Sequence, residues 1–592
     1  MVTVEEYFAR VYNCRLSFPN WPLLQKGRGN AARYFPIEVC NMADKQRVPN
    51  KKMTANDQAT IIKETARGGA QARQARILEE LRQAQYNADP MLQQLKMSVS
   101  MQLMRVDGRI LPSPQLQYNQ TALLRPVNGQ WNMYKKRLLE PATAVTTRQY
   151  CVAICDFNDT APPPAAQRAA ADANAQALRR FYQLLRDHAT HMSLALPQEQ
   201  FVCQVRNADE FRMRLRDNWT CAPGVVKLAL VVVHRKDSAI YGAVKLHGGR
   251  ANVVTQVLQW ANVDRVLRDP RRNESLLSNV CLKLNAKLGG ANSALEDPDP
   301  QTAGNACDFR IVKKYLRQPI LFVGVDVSHD TSGETPSIAA IASSIDNRPC
   351  RYIGQELILA PKTEILPIDR LSSALQHSLR IYYSSTKLKP KQIIYYRDGV
   401  SEGQFAEVMM NELCAIQEAC RAMPQTQAAY KPEITFIVVQ KGHHVRFFRD
   451  TNDSRDMNMR AGTAVDTRVV HPEEFDFFLC AHPAIQGTSR PMHNFVLYDD
   501  HGFTCDELHL LTYYLCYTYA RCTRAVSIPP PVYYAHLIAA NAKYRLSATP
   551  YGSSQSTQSS ASSSTEWSEE RLLEAAESIK LGETLARFMN FQ

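Results

Sequence analysis

The chain has 592 residues, and its 70 lysines and arginines outnumber its 57 aspartates and glutamates, which gives a formal net charge of +13. This length predicts about four domains, and a hydrophobic fraction of 45% supports a buried globular core. The longest strongly apolar run, residues 225–233, is too short to cross a bilayer, and the residues after Met1 are not a secretory signal. The basic excess favours polyanionic partners but does not by itself establish nucleic-acid binding.

The 15 cysteines show neither a paired framework nor the spacing of a zinc site. Reduced thiols in an intracellular protein are therefore expected.

Short elements are predicted ahead of residue 146. Residues 1–50 mix strand-like runs with prolines. Thr54 begins a helix, with Asp57 at the capping-box position. A second helix is predicted over residues 71–86, and residues 106–109, Val-Asp-Gly-Arg, predict a hairpin turn.

Strands and helices then alternate from Tyr150 onward. We predict a strand over residues 151–154, a long alanine-rich helix over 165–188, a buried parallel strand over 228–233 and a helix over 274–288. This pattern predicts a βαβ domain. Near the end of the chain, residues 553–565 are nearly all Ser, Gln and Thr and are predicted to be disordered, and a helix is predicted from Ser568 to about Met589.

Two aspartates follow β-prone apolar runs. Asp326 ends the run from Ile320, and Asp398 ends the run from Ile393. Carboxylates at strand ends are suited to hold a divalent metal ion with hard oxygen ligands. Each aspartate taken singly has about even odds of being an ordinary turn former.

Four segments in this order resemble the Piwi domain of Argonaute proteins, and specifically the animal Argonaute subfamily. They are residues 320–329, 393–405, 486–491 and 519–537. The resemblance extends from about Val4 to about Leu546.

The resemblance implies an α/β protein with a Rossmann-like Mid domain followed by a ribonuclease H-like Piwi domain. The implied boundaries are 1–50 for the C-terminal part of a PAZ domain, 51–145 for a linker, 146–299 for Mid, 300–546 for Piwi, 547–567 for a serine-rich insertion and 568–592 for a C-terminal helix. Relative to the family, the N-terminal domain and the first part of PAZ are missing. A short isoform or an incomplete gene model is the expected reason.

The family pattern also implies a cleavage site. Asp326, Asp398 and His536 match its ligands for Mg²⁺ or Mn²⁺, and Glu364 matches a glutamate on a mobile loop that orders metal-bound water. Taken alone, His536 reads as a buried core histidine and Glu364 as a solvated loop charge. His329 is a further candidate beside the metal ligands.

The family pattern assigns three groups of guide-binding residues. Those for the guide 5′ end are Tyr241, Lys245, Gln256 and Lys287; those for its backbone are Lys441, His482, Arg490 and Arg521; and those for its 3′ end are Tyr7, Tyr12 and Tyr34. Without the rest of PAZ, the three tyrosines are expected to be core residues. Asn541 stands where the family commonly has an arginine that reaches the 5′ phosphate.

Two hypotheses follow. The first is an endoribonuclease that loads a 5′-phosphorylated small RNA of the microRNA or siRNA class and cleaves complementary mRNA. The second is a guide-RNA carrier that silences without cutting, through partners such as glycine-tryptophan repeat scaffold proteins. A cytoplasmic location, extending to the nucleus, is expected. The Mid-like region argues against an unrelated ribonuclease H-like nuclease such as an integrase.

Overall fold

The structure, a computed structural model, describes most of the chain. The described residues are 3–26, 32–46, 48, 53–119, 122–142, 150–158, 164–217, 219, 225–298, 310–330, 335–424, 429–451, 457–552 and 567–592. The chain divides into two compact units, Met1–Arg67 and Gly68–Gln592. The predicted disordered segment 553–565 lies outside the described residues.

The described residues of the first unit form two α-helices and a small antiparallel sheet. Its elements are α1 (Val4–Tyr12), β1 (Leu23–Lys26), β2 (Arg33–Pro36) and α2 (Ala55–Thr65). The helix predicted at Thr54 is confirmed, since the Thr54 hydroxyl accepts from the Asp57 amide and the Asp57 carboxylate accepts from the Thr54 amide.

The second unit begins with helices and short strands. These are α3 (Gly69–Ala84), α4 (Pro90–Gln94), β3 (Arg109–Ile110), β4 (Gln115–Tyr118) and β5 (Ala122–Leu124). The hairpin turn predicted at residues 106–109 is wrong. Arg109 instead begins β3, which pairs with a strand far along the chain, Thr463–Val465. The Asp-Gly pair is a local signal, and the distant pairing overrides it.

A parallel α/β layer follows. Its elements are β6 (Tyr150–Phe157), α5 (Pro164–His191), β7 (Glu199–Val205), α6 (Ala208–Asp217), β8 (Val226–Val233), α7 (Ser238–Arg250), β9 (Val253–Gln259), α8 (Trp260–Arg268) and α9 (Glu274–Lys287). The described strands form a parallel sheet in the order β7-β6-β8-β9. Both faces are covered, so β8 is apolar at nearly every position, as predicted.

A larger mixed sheet forms the rest of the unit. Its elements are β10 (Ala294–Glu296), β11 (Ile320–Ser328), β12 (Ser337–Ser344), β13 (Tyr352–Leu359), α10 (Ile368–Thr386), β14 (Gln392–Asp398), α11 (Phe405–Arg421), β15 (Glu433–Gln440), β16 (Thr463–Val465), β17 (Asp476–Cys480), β18 (Met492–Asp499) and α12 (Cys505–Leu515). Over the described residues the order is β13-β12-β11-β14-β15-β18-β17-β16-β3, while β10 joins β4 and β5. The central strands β11, β14 and β15 are parallel.

Helix α13 (Pro530–Ser547) crosses the large sheet and also contacts α7 of the parallel layer. Prolines at its first positions are tolerated because those amides have no partner inside a helix. Its start lies against β11 at Gly324, where an added Cβ would overlap the backbone of Pro531 and Val532. The glycine thus permits the close approach that brings α13 to the sheet.

The C-terminal helix is shorter than predicted. Helix α14 (Glu569–Ser578) is capped by Ser568 at its start, as predicted, but it already ends at Ser578. A separate short helix, α15 (Glu583–Ala586), follows. Gly582 stands between them, with its amide bonded to the Gly249 carbonyl oxygen. The prediction of one helix to Met589 is therefore wrong.

Two predictions about the whole chain concern membranes and thiols. No helix in the described ranges combines the length and apolarity that a membrane span requires. Each cysteine that the structure describes is a free thiol.

Candidate functional site

Strand geometry brings the two predicted aspartates together. Strands β11 and β14 are parallel neighbours in which Val325 pairs with Arg397. Asp326 and Asp398 are therefore next to each other at the carboxyl ends of these two central strands. His536 lies between them. Its Nδ1 is 2.8 Å from Asp326 Oδ2, and its Nε2 is 2.9 Å from Asp398 Oδ2.

The two carboxylates determine the charge of His536. Burial by itself lowers the pKa of His536, but its hydrogen bonds to Asp326 and Asp398 outweigh this effect and raise the pKa to about 10. The imidazole is therefore a cation at neutral pH and donates from both ring nitrogens. It balances one of the two aspartate charges.

Glu364 joins this group from the loop between β13 and α10. Its Oε2 lies 2.7 Å from His329 Nε2, and its Oε1 accepts a hydrogen bond of 2.8 Å from Arg397. An added Cβ at Gly399, which has φ +88°, would make ordinary van der Waals contacts, 3.8 Å from Glu364 Oε1 and 4.0 Å from Asp326 Oδ1, so Gly399 lies beside both carboxylates. Glu364, which was expected on a mobile loop, is held at both oxygens, and His329 is one of the groups that hold it.

Two members of the site escaped the sequence analysis. Arg397 is fully buried, and its Nε donates to Glu412 Oε1 at 2.9 Å. Glu412 is also fully buried, and its Oε2 accepts from the Tyr395 hydroxyl at 2.7 Å. An arginine inside an otherwise apolar strand was the available signal, because a buried charge requires a partner.

The donor chemistry of this site fits a hard divalent cation. Asp326 and Asp398 offer carboxylate oxygens, and His536 offers a ring nitrogen. Within the described part of the chain, no three His, Cys, Asp or Glu side chains are grouped so that they could hold a metal ion. Both His536 nitrogens point at the aspartates instead. A ligating histidine must be neutral, so metal and proton compete for this residue.

A second site lies in the parallel layer, where two buried lysines meet. Lys245 Nζ donates to the Thr255 carbonyl oxygen at 3.2 Å and to the Thr255 hydroxyl at 3.0 Å. Lys287 Nζ donates to the same carbonyl at 2.8 Å and to Gln256 Oε1 at 2.9 Å. Tyr241 borders the group, with its ring centroid 5.5 Å from Lys245 Nζ. The structure thus brings together all four residues predicted for the guide 5′ end.

Burial makes the protonated forms of both lysines in this cluster unfavourable. Burial, followed by the charges of Arg521 and Arg545, lowers the pKa of Lys245 to about 7. Burial and then the charge of Lys245 lower the pKa of Lys287 well below its usual value. The hydrogen bonds that the structure describes give neither ammonium a carboxylate partner. Such a group is suited to receive an anion.

Arg521 acts on this cluster. Predicted for the guide backbone, it is close enough for its charge to lower the pKa values of Lys245, Lys283 and Lys287, after the larger effect of burial. Asn541 is buried, and its Oδ1 accepts from Arg545 Nε at 3.0 Å. Arg545 in turn donates to Glu356 at 2.9 Å, so a neutralised guanidinium is the direct neighbour of Asn541.

The other predicted backbone residues form a third group. Lys441 donates to the Ser527 hydroxyl, and Arg490 donates to the His443 carbonyl oxygen at 3.2 Å. Burial, with a further contribution from the Lys441 charge, lowers the pKa of His482 to about 4. Burial lowers the pKa of Lys441, and the charge of Asp398 partly opposes this effect, which places Lys441 near the aspartates.

The predicted 3′-end tyrosines lie on the surface of the first unit. Tyr7, Tyr12 and Tyr34 are 47%, 61% and 50% exposed. The expectation that they are core residues is therefore wrong. Tyr7 and Tyr12 are close, with ring centroids 5.9 Å apart, while a role for the three in binding a guide 3′ end stays a prediction.

Known protein families and solved structures resemble this chain in both sequence and fold. Family models described as Piwi domain, PAZ domain and Argonaute linker 2 domain match residues 228–547, 1–63 and 72–118. Kluyveromyces polysporus Argonaute, solved with a guide RNA, is 22% identical with a TM-score of 0.70, and the match covers 100% of this chain and 64% of that one.

Two further structures are similar. The C-terminal lobe of a budding yeast Argonaute is 23% identical with a TM-score of 0.67, and the match covers 82% of this chain and 95% of that lobe. Drosophila Piwi is 21% identical with a TM-score of 0.66, and the match covers 91% of this chain and 66% of that one.

The fold is that of a Rossmann-like domain joined to a ribonuclease H-like domain, which confirms the predicted fold class. The chain belongs to the Argonaute family. It spans about two thirds of the length of the Kluyveromyces and Drosophila proteins. Its place in the animal subfamily, the predicted domain boundaries and the roles of the site residues stay predictions.

Proposed function

We propose that the protein is a guide-directed endoribonuclease that loads a 5′-phosphorylated small RNA and cleaves the RNA paired to it. The convergence of Asp326, Asp398 and His536 carries the proposal. These residues are far apart in the chain, yet the ring nitrogens of His536 lie 2.8 Å from Asp326 and 2.9 Å from Asp398 at the carboxyl ends of two central strands. Glu364 is held beside them by His329 and Arg397.

Guide loading would use the buried lysine cluster. A 5′ monophosphate carries close to two charges and needs several convergent donors. Lys245 and Lys287 supply ammonium groups, Gln256 an amide, and Tyr241 an aromatic face for the first base. Contacts from Lys441, His482, Arg490 and Arg521 to the backbone would add affinity without reading sequence, which leaves target choice to base pairing.

Cleavage would use the carboxylate site. Bound Mg²⁺ or Mn²⁺ would supply an activated water and stabilise the leaving oxygen. Asp326 and Asp398 would hold the metal through their carboxylate oxygens, and His536 would do so through a ring nitrogen after releasing its proton. Glu364 would orient water through hydrogen bonds, from a carboxylate that is already positioned.

The proposed partners are a small guide RNA of the microRNA or siRNA class and a target mRNA, with glycine-tryptophan repeat scaffolds as silencing partners. The Kluyveromyces Argonaute of similar fold was solved with a guide RNA, which supports a guide RNA as a partner. The proposed location is the cytoplasm, extending to the nucleus.

Replacing Asp398 tests cleavage. We expect the protein, loaded with a 5′-phosphorylated guide and given Mg²⁺, to cut a complementary labelled RNA. Asp398→Ala should lower the cutting rate to background and leave guide affinity unchanged, because Asp398 is in the carboxylate site and not in the lysine cluster. Glu407→Gln, on the exposed side of α11, serves as a control that also removes one negative charge. Normal cutting by Asp398→Ala would show that the site is assigned wrongly.

The alternative is a carrier that binds guides without cutting. The observation that favours it is that both ring nitrogens of His536 are bonded to Asp326 and Asp398, at 2.8 and 2.9 Å, so this side chain is not free to bind a metal ion. A protein that holds a guide tightly but leaves the paired RNA intact in both Mg²⁺ and Mn²⁺ would establish this alternative.

A further inference from the structure

Two thiols meet in the parallel layer, outside the residues proposed for guide binding and cleavage. Cys155 lies on β6 and Cys203 on β7, and the register of these parallel strands pairs the two residues directly. Their sulfur atoms are 3.7 Å apart. Neighbouring strands lie about 4.8 Å apart, within the range of roughly 4.4–6.8 Å that separates the Cα atoms of disulfide-bonded cysteines. The strands therefore already hold the two cysteines at a distance that a disulfide can bridge.

The two thiols differ in their access to solvent. Cys155 is 1% exposed and belongs to an apolar cluster that includes Phe211 and Leu215 of α6. Strand β7 is an edge strand of the described sheet, and Cys203 is half-buried there. Cys203 is therefore the thiol of the pair that a small solute can reach.

The two thiols also differ in acidity. The hydrogen bond with Cys155 lowers the pKa of Cys203, burial opposes this effect, and the positive charge of Arg214 on α6 lowers the pKa further. The same hydrogen bond, together with burial, raises the pKa of Cys155 well above its usual value. The pair thus favours a thiolate at Cys203, which accepts a hydrogen bond from the Cys155 thiol. A thiolate is the form of cysteine that attacks peroxides.

We propose that Cys155 and Cys203 form a reversible oxidation site whose oxidant is hydrogen peroxide. The Cys203 sulfur attacks one peroxide oxygen and the O–O bond breaks, which yields a sulfenic acid at Cys203 and one water molecule. The Cys155 sulfur then attacks the Cys203 sulfur, an S–S bond forms, and the sulfenic oxygen leaves as a second water molecule. In sum, the two thiols lose two hydrogen atoms and two electrons, and these reduce the peroxide to water.

The inference is independent of guide binding and cleavage. Its structural consequence is a covalent link between the edge strand β7 and the interior strand β6. The link closes a chain loop that contains α5, and a closed loop lowers the entropy of the unfolded chain. Oxidation should therefore stabilise this layer without changing its strand pairing.

Peptide mapping of the whole chain tests the link. The reduced protein, freed of reductant, is treated with hydrogen peroxide, its remaining thiols are blocked, and it is digested without reductant. Mass spectrometry should find the peptide of Cys155 joined to that of Cys203 with the loss of two hydrogen atoms, and dithiothreitol should separate them. If both thiols stay free when peroxide is raised until the exposed thiol of Cys40 is oxidised, the inference is overturned. Conversion of Cys203 to a sulfinic acid without a link would overturn it as well.

Two alanine variants on β6 identify the partner of Cys203. Cys151 and Cys155 are both buried and belong to the same apolar cluster, but Cys151 is about 13 Å further along the strand. Cys155→Ala should abolish the link and leave a Cys203 sulfenic acid that dimedone traps. Cys151→Ala is the matched control and should form the link as the wild-type protein does. A link that survives Cys155→Ala would contradict the assignment.

Hydrogen–deuterium exchange shows whether the bond forms within the native fold. Exchange in β7 of the oxidised protein should be as slow as in the reduced protein or slower, because the bond joins residues that are already paired. Oxidised Cys155→Ala should show the exchange of its reduced form. Faster exchange in β6 and β7 of the linked protein would mean that these strands must open for the bond to form, which would overturn the inference.

Discussion

Lys245 is a single residue that prepares a site for an anionic ligand and, in doing so, lowers the stability of the ligand-free protein. It is 5% exposed, and it shares the Thr255 carbonyl oxygen with Lys287, which is 1% exposed. Two ammonium groups held together in the interior are unfavourable until an anion arrives. The site is therefore organised for the proposed guide phosphate before the guide binds.

This burial makes the stability of the guide-free protein depend on pH. The pKa of Lys245 is lowered to about 7, mainly by burial, whereas a lysine in an unfolded chain titrates near 10.4. Between about pH 7 and pH 10 the unfolded chain binds more protons at this position. The free energy of unfolding therefore rises with pH there, by up to about 1.4 kcal/mol per pH unit, and Lys245 adds no slope below that range.

Urea unfolding at different pH values measures this effect. From pH 7 to pH 8 we expect Lys245 to contribute a rise of roughly 1 kcal/mol in the free energy of unfolding, and Lys245→Met should lack that part of the rise. Lys236→Met, in the exposed loop before α7, should keep the wild-type slope. Identical slopes for Lys245→Met and wild type would mean that Lys245 keeps an ordinary pKa.

At the scale of elements, the cleavage site depends on one close packing contact. Parallel pairing of β11 with β14 aligns the two aspartates, and α13 supplies His536 only because its start lies directly against Gly324. A side chain at Gly324 would meet backbone, which has little freedom to move. This contact fixes the position of the helix relative to the strand ends.

A methyl group at this contact should therefore be costly. We expect Gly324→Ala to lower the free energy of unfolding by about 3 kcal/mol, measured by urea unfolding, because α13 must move away from β11. Guided cleavage should fall as well, since His536 moves with the helix. Gly403→Ala is the control, because a Cβ there meets nothing within 4 Å. Equal stability of the two variants would show that α13 adapts without cost.

At the scale of the whole molecule, the chain forms two compact units. All residues proposed for the guide 5′ end and for cleavage belong to the second unit, Gly68–Gln592. The exposed tyrosines proposed for the guide 3′ end belong to the first. The two ends of a guide would thus be bound by separate units.

Deleting residues 1–67 tests this division. We expect the remaining chain to unfold at an unchanged temperature and to keep the ratio of its affinities for 5′-phosphorylated and 5′-hydroxyl guides, because the lysine cluster is intact. Overall guide affinity should fall if the tyrosines contact the 3′ end. Filter binding of both guides to both proteins measures the ratio, and a lost 5′-phosphate preference would contradict the division.

The amino-acid sequence by itself determined a βαβ domain, through the alternation of apolar strands with helices, and the Piwi-like motifs implied the ribonuclease H-like domain. It also marked Asp326 and Asp398 through their places at strand ends. It also determined the helix cap at Thr54, because a capping box acts within one turn. The Piwi-like motifs marked His536 and Glu364, which would otherwise read as ordinary core and surface residues. These are local signals, carried by neighbouring residues.

Only the tertiary structure decided how distant residues are combined. Arg109 pairs with a strand more than 350 residues away instead of forming a hairpin. The charge of Arg521 lowers the pKa of Lys245, and Glu412 on α11 accepts a hydrogen bond from Arg397 on β14. The charge of His536 and the shifted pKa of Lys245 also arise only there. The reason is physical: burial and charge–charge interaction depend on distance in space, and spacing along the chain does not specify that distance for residues that no local pattern connects.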